Sequence, residues 1–167
     1  LYDPATGLHR VASPMIVARV AHTATLLLNG QVLVTGGLNG EETLSEVERY
    51  DPAIGHWMST AALRTPRFFH TTTVLPDGKV LVVGGLDRNS DVIDACELYD
   101  PVTETWSPTG SLNEGRFRHS STLLANGQVL VAGGFDGAVL SSGELYDSVT
   151  GTWCPGGSMN VARASHT

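Results

Sequence analysis

The chain has 167 residues, a formal net charge of −7 and an isoelectric point near 5.2. This acidic balance argues against a nucleic-acid partner, because binding to a phosphate backbone needs clustered lysine and arginine. No run of 18 apolar residues occurs, so no membrane span is predicted. The length predicts a single domain.

The first predicted element is the end of a β-strand at Tyr2-Asp3, and the same dipeptide returns three times. It recurs at Tyr50-Asp51, Tyr99-Asp100 and Tyr146-Asp147, in steps of 48, 49 and 47 residues. Self-similarity at a fixed period is the sequence signature of repeat architectures. Other rare residues keep fixed distances from this dipeptide; they are a tryptophan (Trp57, Trp106, Trp153), an arginine (Arg19, Arg67, Arg116, Arg163), a histidine (His22, His70, His119, His166) and a glycine pair (Gly36 and Gly37, Gly84 and Gly85, Gly133 and Gly134). The first copy has His9 at the tryptophan position.

Each copy predicts four short strands and no helix, because no long stretch keeps a 3.6-residue apolar period. Asn29-Gly30, Asp77-Gly78 and Asn126-Gly127 separate the first two strands of their copies. These pairs tolerate positive φ at both central positions, so they predict type I′ hairpin turns. The third strand ends in Glu-x-Tyr-Asp, an aspartate-initiated turn follows, and a short fourth strand carries the tryptophan.

The joint spacing of the histidine, the glycine pair, Tyr-Asp and the tryptophan resembles the kelch repeat over essentially the whole chain. This resemblance implies an all-β fold of kelch-type β-propeller blades, each with four antiparallel strands. The blades are predicted at 20–58, 68–107 and 117–155, after strands three and four of a leading blade at 1–10 and before the start of another at 164–167. Since kelch propellers usually have six or seven blades, we expect an incomplete ring, whose partners include the remaining blades of the same propeller.

The constant positions are interpreted as residues that build each blade, because a residue present in every copy meets a need of every copy. The arginine, the histidine and the strand-three glutamate predict an ion-paired, hydrogen-bonded unit that ties blades together. The aromatic rings of Tyr50, Tyr99, Tyr146 and the three tryptophans are predicted to pack between sheets with hydrogen-bonded polar tips. A metal site at the four histidines is the alternative, but zinc and copper sites need three or four ligands in a dedicated geometry.

Two further patterns are weighed against a plain structural role. Asp87-x-Asn89-x-Asp91 has the alternating oxygen ligands of a calcium loop, but Val92 and Leu98 stand where that loop needs glycine and glutamate. A polar connecting loop is therefore the preferred interpretation. Cys96 and Cys154 do not recur and are interpreted as a free buried pair, with a disulfide as the alternative.

No catalytic constellation is visible, and no metal or other cofactor is predicted. Kelch-type propellers resemble the catalytic domain of galactose oxidase and related copper radical oxidases, so part of such an enzyme, or a carbohydrate-binding propeller, is the alternative function. That chemistry needs tyrosine ligands for copper, and every tyrosine here belongs to the Tyr-Asp repeat. The sequence leaves open a secreted, cell-surface or cytoplasmic location.

Function is therefore expected where the copies differ. The loops from strand two to strand three and the links from strand four to the next blade fall at one end of the strands, which we call the loop face. Loops on a rigid scaffold carry a disproportionate share of functional residues. We expect a non-catalytic scaffold that binds a protein or peptide through this face, with Phe135 as an exposed anchor. The candidate binding residues are Asn39, Glu41, Glu42, Arg64, Asp87, Arg88, Asn89, Asn113, Phe135 and Asp136.

Overall fold

The computed structural model describes residues 1–166, and all regular structure in this range is β-strand. Thr167, the last residue of the predicted segment 164–167, lies outside the described residues. Within residues 1–166 there is no helix of the length and apolarity needed to cross a membrane. The all-β prediction is thus confirmed, and three four-stranded antiparallel sheets dominate the fold.

Residues 1–166 contain sixteen strands, which follow one another in chain order. A short leading hairpin contains β1 (Tyr2–Asp3) and β2 (Leu8–His9). The first sheet contains β3 (Thr23–Leu26), β4 (Val32–Thr35), β7 (Val47–Asp51) and β8 (His56–Thr60), and the hairpin of β5 (Leu38–Asn39) and β6 (Glu42–Thr43) lies between β4 and β7. The second sheet contains β9 (Thr71–Val74), β10 (Val80–Val83), β11 (Cys96–Asp100) and β12 (Thr105–Pro108). The third sheet contains β13 (Ser120–Leu123), β14 (Val129–Ala132), β15 (Ser142–Asp147) and β16 (Thr152–Ser158).

Within each sheet the strands lie in chain order, so each sheet is a meander whose neighbouring strands are antiparallel. The first strands β3, β9 and β13 of the three sheets lie beside one another. The sheets therefore stand as adjacent blades with their first strands innermost. This arrangement confirms the predicted propeller blades.

Two hydrophobic cores lie between the blades. Leu27, Leu33 and Val47 of the first blade pack against the next blade, and the partners are Val80, Val82, Tyr99 and Trp106. The second core repeats the first one blade further on, with Leu75, Leu81 and Val83 facing Val129, Val131 and Tyr146. Strand β10 is buried on both faces because each face contributes to one of these cores. Its continuous apolar sequence follows from that position.

The hairpin turns between the first two strands differ from the predicted type I′ geometry. Only the glycine of each pair has positive φ, for example +84° at Gly30, and Asn29 does not. The Gly30 amide bonds to the Leu27 carbonyl, and the Leu27 amide bonds to the Gln31 carbonyl. This pattern describes a three-residue loop with a type I turn and a left-handed glycine. The prediction was wrong because the same Asn-Gly pair suits both turns, and loop length decides between them.

Candidate binding face

The repeated arginine joins neighbouring blades through its backbone and its side chain. The Arg67 carbonyl accepts the amide of Gly37, and the Arg67 amide donates to the carbonyl of Leu44, both in the first blade. The Arg67 guanidinium lies in the second blade, where it donates to the carbonyls of Gly84 and Ala95 and to Glu97. Its side chain is fully buried. One residue thus bonds to both blades.

The partner glutamate holds the link that enters its own blade. Glu97 accepts the backbone amides of Arg64 and Thr65 at 2.9 and 3.1 Å in addition to the Arg67 ion pair. The other copies repeat this unit, with Arg19 paired to Glu48 at 2.5 Å and Arg116 paired to Glu144 at 3.1 Å. Each buried charge therefore has an opposite charge and several hydrogen bonds, which is the condition for burying it.

The repeated histidine also bonds to the preceding blade. His70 Nε2 lies 2.9 Å from Thr35 Oγ1 and 3.1 Å from Thr23 Oγ1, and His119 Nε2 lies 2.8 Å from Thr71 Oγ1. Burial, reinforced by Arg67, lowers the pKa of His70 well below its usual value. Burial, reinforced by Arg116, lowers the pKa of His119 to about 3. Both imidazoles are therefore neutral at pH 7.

The glycine pair permits the blades to approach closely. Gly84 has a φ of +60°, and a Cβ there would lie 2.3 Å from the Arg116 carbonyl oxygen. The next blade's backbone thus occupies the space of a side chain, which explains why this position is glycine. Gly36, Gly37, Gly85, Gly133 and Gly134 also have positive φ and close backbone neighbours.

The repeated aromatic residues pack in pairs on the sheets. The rings of Tyr99 and Trp106 have centroids 4.9 Å apart, and each polar tip bonds to the preceding blade or link. Tyr99 Oη lies 2.9 Å from Thr60 Oγ1, and Trp106 Nε1 donates to the Ala61 carbonyl. Trp57 and Trp153 donate to the carbonyls of Ser13 and Gly110, and Tyr146 contacts Thr109.

Tyr50 departs from the predicted pattern of hydrogen-bonded tips. Its hydroxyl is buried and has no hydrogen-bond partner within residues 1–166. Thr60 and Thr109 supply the partner in the later copies, and both stand three residues after a tryptophan. Ala12 occupies that position in the first copy and has no hydroxyl. The prediction was therefore wrong at Tyr50, for a reason visible in the sequence.

The loops and links meet at one end of the strands, as the strand registers require. Thr71 at the start of β9 pairs with Val83 at the end of β10, which in turn pairs with Cys96 at the start of β11. Link residues also bridge to loop residues, since Phe68 pairs with Leu86. The backbone of the loop face is thus fixed to the blades at both sides of each loop.

The ten candidate residues fall into two groups on this face. Six have exposed side chains that make no hydrogen bond or ion pair within residues 1–166; they are Asn39, Glu41, Glu42, Arg64, Arg88 and Asn89. The other four support the loops. Asp87 accepts the amides of Asn89 and Asp91, Asp136 accepts that of Ala138, and Asn113 donates to Glu144 at 2.7 Å. The six unbonded side chains are therefore exposed to solvent and free of contacts that a partner would have to break.

Phe135 belongs to the supporting group and is not exposed as predicted. It is half-buried and packs edge-on against Phe117 with ring centroids 5.5 Å apart. Its backbone bridges to Phe117 and Val139. The expectation of an exposed anchor was wrong because the link residue Phe117, which the repeat does not reveal, covers one side of the ring.

The two cysteines are not bonded to each other and lie in different surroundings. Cys96 is buried, and burial raises the pKa of its thiol to about 12, whereas Cys154 is exposed on β16. The predicted buried pair is therefore wrong for Cys154. Across residues 1–166 no group of three histidine, cysteine, aspartate or glutamate side chains is arranged to hold a metal ion.

The sequence reasoning missed one set of residues, which lies just before the first strand of each blade. Ala21, Phe69, Arg118 and Ser165 have φ values of 54° to 55° although none is glycine. They line a cavity of about 520 Å³ together with the repeated histidines. We call these four residues the channel ring. One feature of the sequence could have identified them. They stand directly before the repeated histidine, and the residue type at this position differs in every copy.

Comparison with known proteins agrees with these blades. The family profile for the β-propeller of tRNA wybutosine-synthesizing protein 4 matches residues 64–165, which is more than half of the chain. The chain belongs to this β-propeller family. The kelch motif matches residues 19–64 of the propeller, so the predicted kelch resemblance is confirmed.

A solved structure titled "Structure of YjhT" superposes on the propeller with a TM-score of 0.77 at 19% sequence identity. The match covers 92% of this chain and 56% of that one, so this propeller spans little more than half the length of its structural neighbour. At this identity the similarity concerns the fold alone. No sequence among curated proteins matches the chain. The kelch propeller fold supports a scaffold function in general.

Proposed function

We propose that this propeller is a non-catalytic scaffold that binds a protein or peptide through the loop face. The observation that carries the proposal is the set of six exposed side chains without intramolecular partners, held on loops whose backbone is fixed by buried ion pairs. A rigid backbone lowers the conformational entropy lost on binding. Polar side chains that are not engaged elsewhere can exchange water for partner groups without breaking the fold.

The unbonded side chains also differ in charge from blade to blade. Glu41 and Glu42 give the first blade's loop a negative charge, whereas Arg64 and Arg88 place guanidinium groups on the second blade's link and loop, where Asp87 and Asp91 flank Arg88. Such an asymmetric surface selects a partner by complementary charge and fixes its orientation. The proposed partner therefore presents a basic group toward Glu41 and Glu42 and an acidic group toward Arg64 and Arg88.

Site-specific photocrosslinking tests the face and identifies the partner together. A photoreactive amino acid is placed at position 88 on the loop face, with position 102 as the matched control. Val102 is 89% exposed on a turn at the opposite end of the strands. We expect position 88 to capture a protein that position 102 does not. The captured protein, once purified, is expected to bind Arg88→Ala and Arg64→Ala at least fivefold more weakly than the wild type. Equal capture at both positions, or unchanged affinity of both variants, would remove the loop face as the binding surface.

We further propose that the chain divides into blades at 20–58, 68–107 and 117–155, with part-blades at 1–10 and 164–167, and that further blades complete the ring. The support is the open face of the first sheet, where Leu26 on β3 is 67% exposed. Coexpression of the missing blades is expected to raise the free energy of unfolding. An unchanged free energy would contradict this arrangement.

A further inference from the structure

The channel ring presents variable side chains from a constant backbone. The Phe69 amide donates to the Ala21 carbonyl, the Arg118 amide to the Phe69 carbonyl, and the Ser165 amide to the Arg118 carbonyl, at 3.1, 3.1 and 2.8 Å. These bonds run from blade to blade and account for the left-handed backbone at all four positions. The backbone is therefore a structural requirement of every blade, whereas the side chains alanine, phenylalanine, arginine and serine are not.

Arg118 is the charged member of this ring, and aromatic rings hold its guanidinium. The Arg118 Cζ lies 4.2 Å from the centroid of the Phe69 ring and 5.9 Å from that of Phe117. A cation over an aromatic face is attracted by the negative charge of that face. The side chain is exposed and makes no hydrogen bond or ion pair with any residue from 1 to 166. Its donors therefore remain available to a ligand.

The rest of the cavity carries no compensating negative charge. Within residues 1–166 its lining consists of the channel ring and the four repeated histidines, without an aspartate or glutamate. His70 and His119 are neutral at pH 7 because burial and the neighbouring arginines lower their pKa values. The lining thus offers one fixed positive charge at Arg118, the aromatic ring of Phe69 beneath that charge, and the Ser165 hydroxyl.

We propose that the channel ring binds a small organic carboxylate, with the carboxylate on Arg118 and an apolar part of the ligand near Phe69. A guanidinium has the planar arrangement of donors that matches a carboxylate. One cation balances a monoanion, whereas a phosphate dianion would need a second. The cavity is wide open to solvent, and its volume of about 520 Å³ lies in the range of small-ligand sites. This site lies on the links of the loop face, but its lining includes none of the six side chains proposed to bind the partner, so the two proposals are independent.

Titration with phenylacetate, monitored by amide chemical shifts and isothermal calorimetry, tests the proposal. We expect phenylacetate to shift the amides of Phe69, Arg118 and Ser165, and phenylacetamide, its uncharged analogue, to bind at least tenfold more weakly. Arg118→Gln is expected to lose at least tenfold in affinity, and Phe69→Leu at least threefold. Lys79→Gln, which removes an exposed cation at the opposite end of the strands, is expected to change nothing.

Three outcomes would overturn the proposal. Equal binding of phenylacetate and phenylacetamide would show that charge is not recognised. An equal loss in Lys79→Gln and Arg118→Gln would show a nonspecific effect of net charge. Tighter binding of phenyl phosphate than of phenylacetate would assign the site to phosphoryl ligands instead. Because Arg118 is exposed, Arg118→Gln is expected to fold, and an unchanged amide spectrum outside the ring verifies this.

Discussion

The Arg67 guanidinium lies 2.8 Å from the Glu97 carboxylate, and both side chains are almost completely buried. The pair belongs to the second blade, but the Arg67 carbonyl accepts an amide of the first. Removing one partner of a buried ion pair leaves an uncompensated charge in a medium that solvates it poorly. This relationship between two distant sequence positions connects adjacent blades of the propeller.

Arg67→Met is therefore expected to reduce the free energy of unfolding by about 3–5 kcal/mol, because Glu97 loses its counter-charge. Arg64→Met, three residues earlier and exposed, is the matched control and is expected to change it by less than about 0.5 kcal/mol. Urea denaturation followed by tryptophan fluorescence measures both. A loss of the same size in the two variants would show that the buried pair has no special role.

Gly84→Ala is expected to destabilise the propeller more than Gly40→Ala. Both glycines have φ near +60°, so both substitutions carry the strain of a left-handed alanine, about 1–2 kcal/mol. Only at Gly84 does the new Cβ also meet backbone, at 2.3 Å from the Arg116 carbonyl, whereas Gly40 has open space. The difference is expected to be at least about 1–3 kcal/mol, the usual cost of overpacking. Thermal denaturation of the two variants measures it, and equal losses would contradict the close approach of the blades.

Acid is expected to destabilise the propeller partly through His119. Its pKa is about 3 in the folded chain and near 6.5 in the unfolded chain, so the unfolded chain binds the proton first as pH falls. The contribution of His119 to the free energy of unfolding is complete above pH 6.5. It is lost as pH falls from 6.5 to 3, by up to about 1.4 kcal/mol per pH unit. His119→Gln cannot titrate, so its free energy of unfolding should fall less steeply in this window. Identical slopes in urea titrations from pH 7 to 4 would refute this role.

Glu104 combines a strained backbone with an ion pair to the preceding blade. Its φ is 55° at a turn position that Gly7, Gly55 and Gly151 occupy in the other copies, and it bonds to Arg49 at 2.5 Å. Glu104→Gly should relieve the strain but lose the ion pair, so the two effects nearly cancel. In an Arg49→Met background, which already lacks the pair, the same substitution is expected to stabilise by about 0.5–1 kcal/mol.

A double-mutant cycle of Arg49→Met and Glu104→Gly, measured by urea denaturation, tests this balance. The coupling energy should be about 0.2–1 kcal/mol, since Glu104 is 41% exposed and solvent weakens the pair. If Glu104→Gly were equally neutral or destabilising in both backgrounds, the left-handed glutamate would not be strained.

The sequence predicted the blades well because each has the same local requirements. The spacing of Tyr99 and Trp106, for instance, reflects direct cross-strand pairing in β11 and β12. Features that depend on neighbouring blades were harder to predict. The channel ring was missed because Phe69 and Arg118 have no intrinsic preference for a left-handed backbone, which inter-blade hydrogen bonds impose. The half-buried Phe135 depends in the same way on a link residue that varies between copies.

Amide hydrogen exchange most directly tests the central claim that constant positions join the blades and leave the loop face free. The amides of Gly37 and Gly85 donate to the carbonyls of Arg67 and Arg116 across blade boundaries. They are expected to exchange only through global unfolding, whereas the amides of Glu41 and Arg88 exchange by local opening with free energies several kcal/mol lower. Exchange of Gly37 and Gly85 as fast as that of Glu41 and Arg88 would contradict the account.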